Sequence, residues 1–133
     1  MIYLIDTNVI ADLIVDIQVV ASHFSLVLQR GDVVGLCDPV QYEVLRGLIR
    51  QGSSRKLQIF EDIIKPQLEI VQLESGDWIQ TAQFWAQATS KGQQLSDVDL
   101  LLAALSKRLD AVIVSSDADF DSLPVKRENW RVS

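Results

Sequence analysis

Ile2-Tyr-Leu-Ile-Asp-Thr-Asn8 is an apolar run that stops at an acid and two cap-forming polar residues. The run has no helical period, which suits a strand buried on both faces of a parallel sheet. Asp6-Thr7-Asn8 offers turn and N-cap chemistry, and a helical pattern follows. Ile17, Val20, Phe24, Val27 and Leu28 of that pattern share one helical face, and Gly31 closes the helix. Val33 to Cys37 then reads as a second buried strand.

The alternation continues along the chain. Asp38-Pro39 pairs an N-cap residue with proline at the first helical position, predicting a helix through Tyr42, Leu45 and Ile49 to Gly52. A further helix around Leu57, Phe60 and Ile64 should end before Pro66. Leu68 to Val71 suits a strand. Asp77 to about Ser90 is helical, with Trp78, Ala82 and Trp85 on one face and Gly92 as terminator. Ser96 caps the next helix, which carries Leu101, Leu102, Ala104 and Leu105. Ala111 to Ser115 is a strand, and Val125 to Val132 contains a last short one. Strands alternating with helices imply an α/β fold, a parallel central sheet with helices on both faces. In such folds ligands sit beyond the carboxyl ends of the strands.

The length and composition bound the chemistry. At 133 residues, 48% of them hydrophobic and 23% charged, the chain forms one domain over residues 1–133 and buries a real core. One cysteine, Cys37, leaves no disulfide framework and no Cys-based zinc cage. The single histidine, His23, beside Phe24 in an amphipathic helix, reads as structural. The start lacks the pattern of a signal peptide and no apolar run is long enough to span a membrane, so a cytoplasmic protein is expected. A net charge of −6 argues against holding nucleic acid by bulk electrostatics. It leaves room for an enzyme that meets nucleic acid through bound metal and one local basic patch.

Four acids fall at the sheet edge where ligands collect. Asp6 follows the first strand, Glu43 lies in the opening turns of the helix after the second, Asp99 opens the helix capped by Ser96, and Asp117 follows the strand ending at Ser115. Each also has a plain structural reading. Asp6 suits a turn before a helix, Asp99 a capping box with Ser96, Asp117 an Asx-turn, and Glu43 a solvated helix face. Repulsion separates the readings. Two carboxylates ~5 Å apart at an effective dielectric of ~20 repel by about 3 kcal/mol, so three or four in one pocket need a compensating cation. Mg²⁺ and Mn²⁺ are hard, oxygen-seeking ions that require neither His nor Cys.

These residues carry a resemblance. The chain resembles the PIN-domain nucleases, most closely the VapC-type toxins of toxin–antitoxin pairs. It does so in Leu4-Ile-Asp-Thr-Asn-Val-Ile10, Glu43-Val-Leu-Arg-Gly47, Leu95-Ser-Asp-Val-Asp-Leu-Leu-Leu-Ala-Ala104 and Val114-Ser-Ser-Asp-Ala-Asp-Phe120. The resemblance implies a Mg²⁺- or Mn²⁺-dependent endoribonuclease with Asp6, Glu43, Asp99 and Asp117 as its acidic quartet. It also implies Asn8 and Ser115 as polar supports of Asp6. Asp97 and Asp119 are extra acids beside the quartet, either supporting it or lying at the surface. A homodimer and a small cognate antitoxin are the partners the resemblance implies, with RNA as substrate.

Arg46, one helical turn from Glu43, either pairs with it or meets RNA phosphate. Arg50, Arg55 and Lys56 flank a Gly52-Ser-Ser54 turn and either guide the RNA backbone or sit in a solvated loop. Trp78, Phe84 and Trp85 suit the core or a subunit interface better than base stacking. Two rival readings remain. One is a non-catalytic RNA- or protein-binding module of the same fold. The other is a Mg²⁺-dependent phosphotransfer or phosphatase fold, which Asp6-Thr7-Asn8 fits poorly because no second Asp stands two residues on. Neither G-x-G-x-x-G nor a Walker A sequence is present.

Overall fold

A computed structural model describes residues 1–132. Five strands, β1 (Ile2–Ile5), β2 (Val33–Cys37), β3 (Glu69–Val71), β4 (Val112–Val114) and β5 (Lys126–Glu128), form one sheet in the order β3-β2-β1-β4-β5. All four pairings are parallel, with Leu4 opposite Gly35 on one side and Ile113 on the other. Six α-helices flank it: α1 (Thr7–Ile14), α2 (Gln18–Gln29), α3 (Asp38–Gln51), α4 (Ser54–Ile59), α5 (Ser75–Ser90) and α6 (Asp97–Leu109). Leu4, Ile5, Leu36, Ile113 and Val114 have no exposed surface, as strands covered on both faces require. The α/β reading with a parallel central sheet holds. No single helix among the described residues is long and apolar enough to cross a membrane.

The structure corrects three element boundaries. The first helical pattern is two helices, α1 and α2, turned by 105° at Val15–Ile17, where Asp16 takes a left-handed φ of 57°. The apolar spacing is continuous across that break, so periodicity alone did not reveal it. Helix α3 begins one residue earlier than expected. Cys37 at the end of β2 is its cap, without a side-chain bond, and Asp38 lies already in the first turn. Proline is tolerated there because first-turn N–H groups have no intrahelical partner. Beyond α4 the chain continues as a π-helical turn over Phe60–Ile64 and a 3₁₀ turn over Lys65–Gln67. Pro66 therefore sits inside a helical turn, at a position where no N–H is needed.

The C-terminal segment is pinned in a way the sequence did not announce. Trp130 is 2% exposed and packs against Tyr3, His23 and Phe24, with His23 stacked on its ring at 6.1 Å. Arg131 reaches Asp12 through two bonds of 2.7 and 3.0 Å, and His23 Nε2 lies 3.1 Å from the Val132 carbonyl. His23 is thus structural, tying α2 to the chain end.

Gly35 marks the tightest point of the sheet. A Cβ there would stand 2.7 Å from Leu4 Cδ2 and 3.0 Å from Val71 Cγ2. Gly35→Ala should therefore overpack the β1–β2–β3 layer and cost about 1–3 kcal/mol, read as a lower urea midpoint at unchanged m-value.

Candidate metal centre

Strand order reverses about β1, since the chain steps outward to β2 and β3 on one side and later to β4 and β5 on the other. The crevice beyond the carboxyl ends of β1 and β4 is therefore the topological switch point. Asp6 follows β1 directly and Asp117 lies three residues past β4. Helix α6 ends at Leu109, just before β4, so its thirteen residues run back along the sheet by about 20 Å and bring Asp97–Asp99 to the same edge. Glu43 stands in the second turn of α3, which leaves that edge after β2.

Asp6 is the best-held of the four, with 4% exposure. It caps α1, accepting the Thr7 N–H on Oδ1 at 2.8 Å. Its Oδ2 accepts from the Ser115 hydroxyl at 2.7 Å and from the Asn8 amide at 3.1 Å. Ser115, wholly buried, is the hub: its Oγ also accepts from Asn8 Nδ2 at 3.1 Å and from the Asp117 N–H at 3.0 Å. Asn8 Oδ1 accepts the Ser116 N–H at 3.2 Å, so one cluster of side chains ties the loop after β1 to the loop after β4. Asp117 in turn accepts the Asp119 N–H at 2.9 Å, making the local turn its sequence suggested.

Glu43 is held from two sides. The Thr7 hydroxyl donates to Oε1, and Arg46 Nη2 lies 3.4 Å from Oε2. Thr7, read from the sequence as a cap residue alone, is the contact the motif did not reveal. Asp99 sits in the capping box of α6: its N–H donates to Ser96 Oγ at 3.1 Å, and the Ser96 side chain also bears on its carboxyl group by hydrogen bonding. Burial pushes that carboxyl up from 3.8 to about 7, helped by the negative charges of Asp6, Asp117 and Glu43. Burial likewise raises Asp6, against the opposing pull of its Ser115 and Thr7 hydrogen bonds. The four acids thus feel one another across the crevice.

They do not close on a single point. Among the described residues no three His, Cys, Asp or Glu side chains are gathered closely enough to ligate one ion. Each carboxylate rests instead on its own donors. The donor set fits a hard divalent cation in its chemistry: all oxygen and negative in sum. Asp97 is exposed and lines a groove with Trp78 and Trp85, without a hydrogen bond to the quartet. Asp119 is exposed and offers its backbone N–H rather than its side chain. Phe84 is core, whereas Trp78 and Trp85 are more than half exposed. Arg127, far along the chain, donates to the Ser115 carbonyl at 3.0 Å while forking onto Asp121, a support that no nearby residue signalled.

Comparison with known proteins decides the family. The PIN-domain family model matches residues 3–126. The chain belongs to the PIN-domain family. Solved structures similar to this PIN domain include VapBC2 from Rickettsia felis bound to a DNA fragment from its promoter, with TM-score 0.88, 22% identity, and 98% and 99% of the two chains covered. DNA-bound VapBC from Salmonella typhimurium gives 0.84, 22%, and 98% of each chain. FitAcB from Neisseria gonorrhoeae gives 0.82, 24%, and the whole of both. No curated protein matches the chain with significance.

Two outcomes follow for this PIN domain. Between pH 3.8 and about 7 the folded protein holds a proton on Asp99 that the unfolded chain has lost, so stability falls as pH rises through that window. Asp99→Asn removes this slope. In melts with EDTA the variant should gain on wild type from about pH 4 to about pH 8, and parallel curves would contradict the assignment. Ser115→Ala leaves the Asp117 N–H without its acceptor and Asp6 Oδ2 with the Asn8 amide as its one remaining donor, and should cost about 1–3 kcal/mol in urea unfolding.

Proposed function

We propose that this PIN-domain protein is a divalent-metal-dependent endoribonuclease, the toxin of a toxin–antitoxin pair. The observation that carries the reading is the Asp99 carboxyl, held near 7 at the mouth of α6 by burial and by three other acids at the switch point of the sheet. Such surplus negative charge suits a site whose working form includes a cation.

In this reading Asp6, Asp99 and Asp117 hold Mg²⁺ or Mn²⁺, with Glu43 as a further ligand or as a base acting through water. When held there, such an ion would supply positive charge for the phosphoryl oxygens and acidify water. Ser115 and Asn8 fix the Asp6 carboxylate, and Thr7 fixes Glu43, so the acids are oriented before substrate arrives. Arg50, Arg55 and Lys56 have no ion-pair partner among the described residues, while Arg30, Arg108, Arg127 and Arg131 are all paired. That unneutralised cluster supports a path for the RNA backbone away from the acids. Attack by water in line on phosphorus does not need the 2′-hydroxyl, and it leaves a 5′-phosphate and a 3′-hydroxyl.

The toxin assignment is supported by the likeness to VapBC structures, a family of toxin–antitoxin systems. A small cognate antitoxin that silences the acidic crevice, a homodimeric state and a cytoplasmic location complete the reading. The failure of three carboxylates to converge favours one rival, a PIN-fold module that binds RNA or protein without cutting.

Incubation of wild type and Asp6→Asn with total RNA separates the two. Wild type should cut with Mg²⁺ or Mn²⁺ and stop with EDTA, and Asp6→Asn should lose about 100-fold or more in rate. Equal cutting by both proteins, cutting in EDTA, or cyclic 2′,3′-phosphate ends would overturn the proposal.

A further inference from the structure

Helix α3 presents a second feature beside Glu43. Tyr42 is 58% exposed although the Arg46 guanidinium lies over its ring, 5.1 Å from the centroid. With one face so covered, the exposure belongs to the opposite face and the hydroxyl end. Arg46 is shared, touching the Tyr42 ring and also standing 3.4 Å from Glu43 Oε2. Tyr42, Arg46 and Arg50 recur at four-residue spacing and so share one side of the helix, about 12 Å from first to last. The stripe begins next to an acid of the crevice and ends at Arg50, which, like Arg55 and Lys56 at the start of α4, has no ion-pair partner among the described residues.

An open aromatic face backed by a guanidinium and followed by free cations is the pairing that single-stranded nucleic acid uses. The ring stacks on a base while the cations track phosphates. The other exposed aromatics do not offer it. Trp78 and Trp85 flank a groove with Thr81, Ala82, Leu100, Leu101 and the acid Asp97, which repels phosphate and contributes no cation.

We propose that Tyr42 and Arg46 form a stacking subsite for one unpaired nucleobase next to the cleaved bond. This rests on the endoribonuclease reading and adds to it a pair of residues that determine which nucleotide is held there. Tyr42 supplies the platform, and Arg46 holds the ring in place and meets the adjoining phosphate by leaving Glu43.

The test uses Asp6→Asn protein with Mg²⁺ and a short single-stranded oligoribonucleotide carrying 2-aminopurine, whose fluorescence falls on stacking. Adding Tyr42→Ala should weaken binding by about 5- to 100-fold and abolish the quenching. Tyr42→Phe and Tyr42→Trp should keep both. A fully paired duplex of the same sequence should bind weakly and alike to all variants. Tyr42 is exposed, so unchanged melting shows that the fold is intact. If Tyr42→Ala binds and quenches like its parent while wild type cuts RNA, the stacking subsite is wrong and the nuclease reading stands. If the parent neither binds the oligonucleotide nor, as wild type, cuts RNA, both fall together.

Discussion

Like charges in a partly desolvated crevice repel, and that repulsion organises the functional end of this protein. Asp6, Asp99, Asp117 and Glu43 come from four separate stretches of chain, and the strand order brings them to the one edge where it reverses. Burial, joined by the negative charges of the other three, raises Asp99 to about 7. A fold built for stability alone gains nothing from this arrangement, because each added carboxylate costs roughly as much as a surface hydrogen bond contributes several times over. The structure meets the cost locally. Ser115 and Asn8 take one oxygen of Asp6, the Thr7 N–H takes the other, and Thr7 and Arg46 hold Glu43. These bonds orient the acids without drawing them to a common centre.

Much of this was legible in the chain. Buried strands such as Ile2–Ile5 and Val33–Cys37 announce themselves as short apolar runs, and their alternation with helices leads to a parallel sheet. The edge position of the acids follows from that topology, because each stands at a strand end or a helix start. What the sequence hid was non-local or conformational. The break between α1 and α2 depends on a left-handed Asp16 within an unbroken apolar pattern. The continuation past Pro66 depends on a π-helical turn that packs Phe60 and Ile64 inside. Thr7 and Arg127 act on residues distant along the chain, Glu43 and Ser115, and no spacing rule relates them. Trp78 and Trp85 share a helical face, yet that face points outward.

Charge is distributed in keeping with an enzyme that meets RNA at one place. The chain is acidic, at −6, and most of its arginines are neutralised by carboxylates such as Asp12, Asp77 and Asp121. The two arginines without a carboxylate partner among the described residues, Arg50 and Arg55, lie beyond Glu43 in α3 and α4. Acidic crevice and basic stripe therefore adjoin on one helix, so that substrate backbone and compensating metal would be drawn to neighbouring points rather than spread over the surface. An antitoxin that presented a cation to the crevice would use the same imbalance.

If the carboxylates share surplus charge, a divalent ion relieves it. Calorimetric titration of the partner-free protein with Mn²⁺, repeated in buffers of different ionisation enthalpy, tests it most directly. At pH 7 Mn²⁺ uptake should come with proton release, because Asp99, with a value of about 7, must lose its proton to the buffer when its carboxylate takes the ion. The release should fade at higher pH. Absence of uptake by the folded protein, or uptake with no proton released at pH 7, would contradict it.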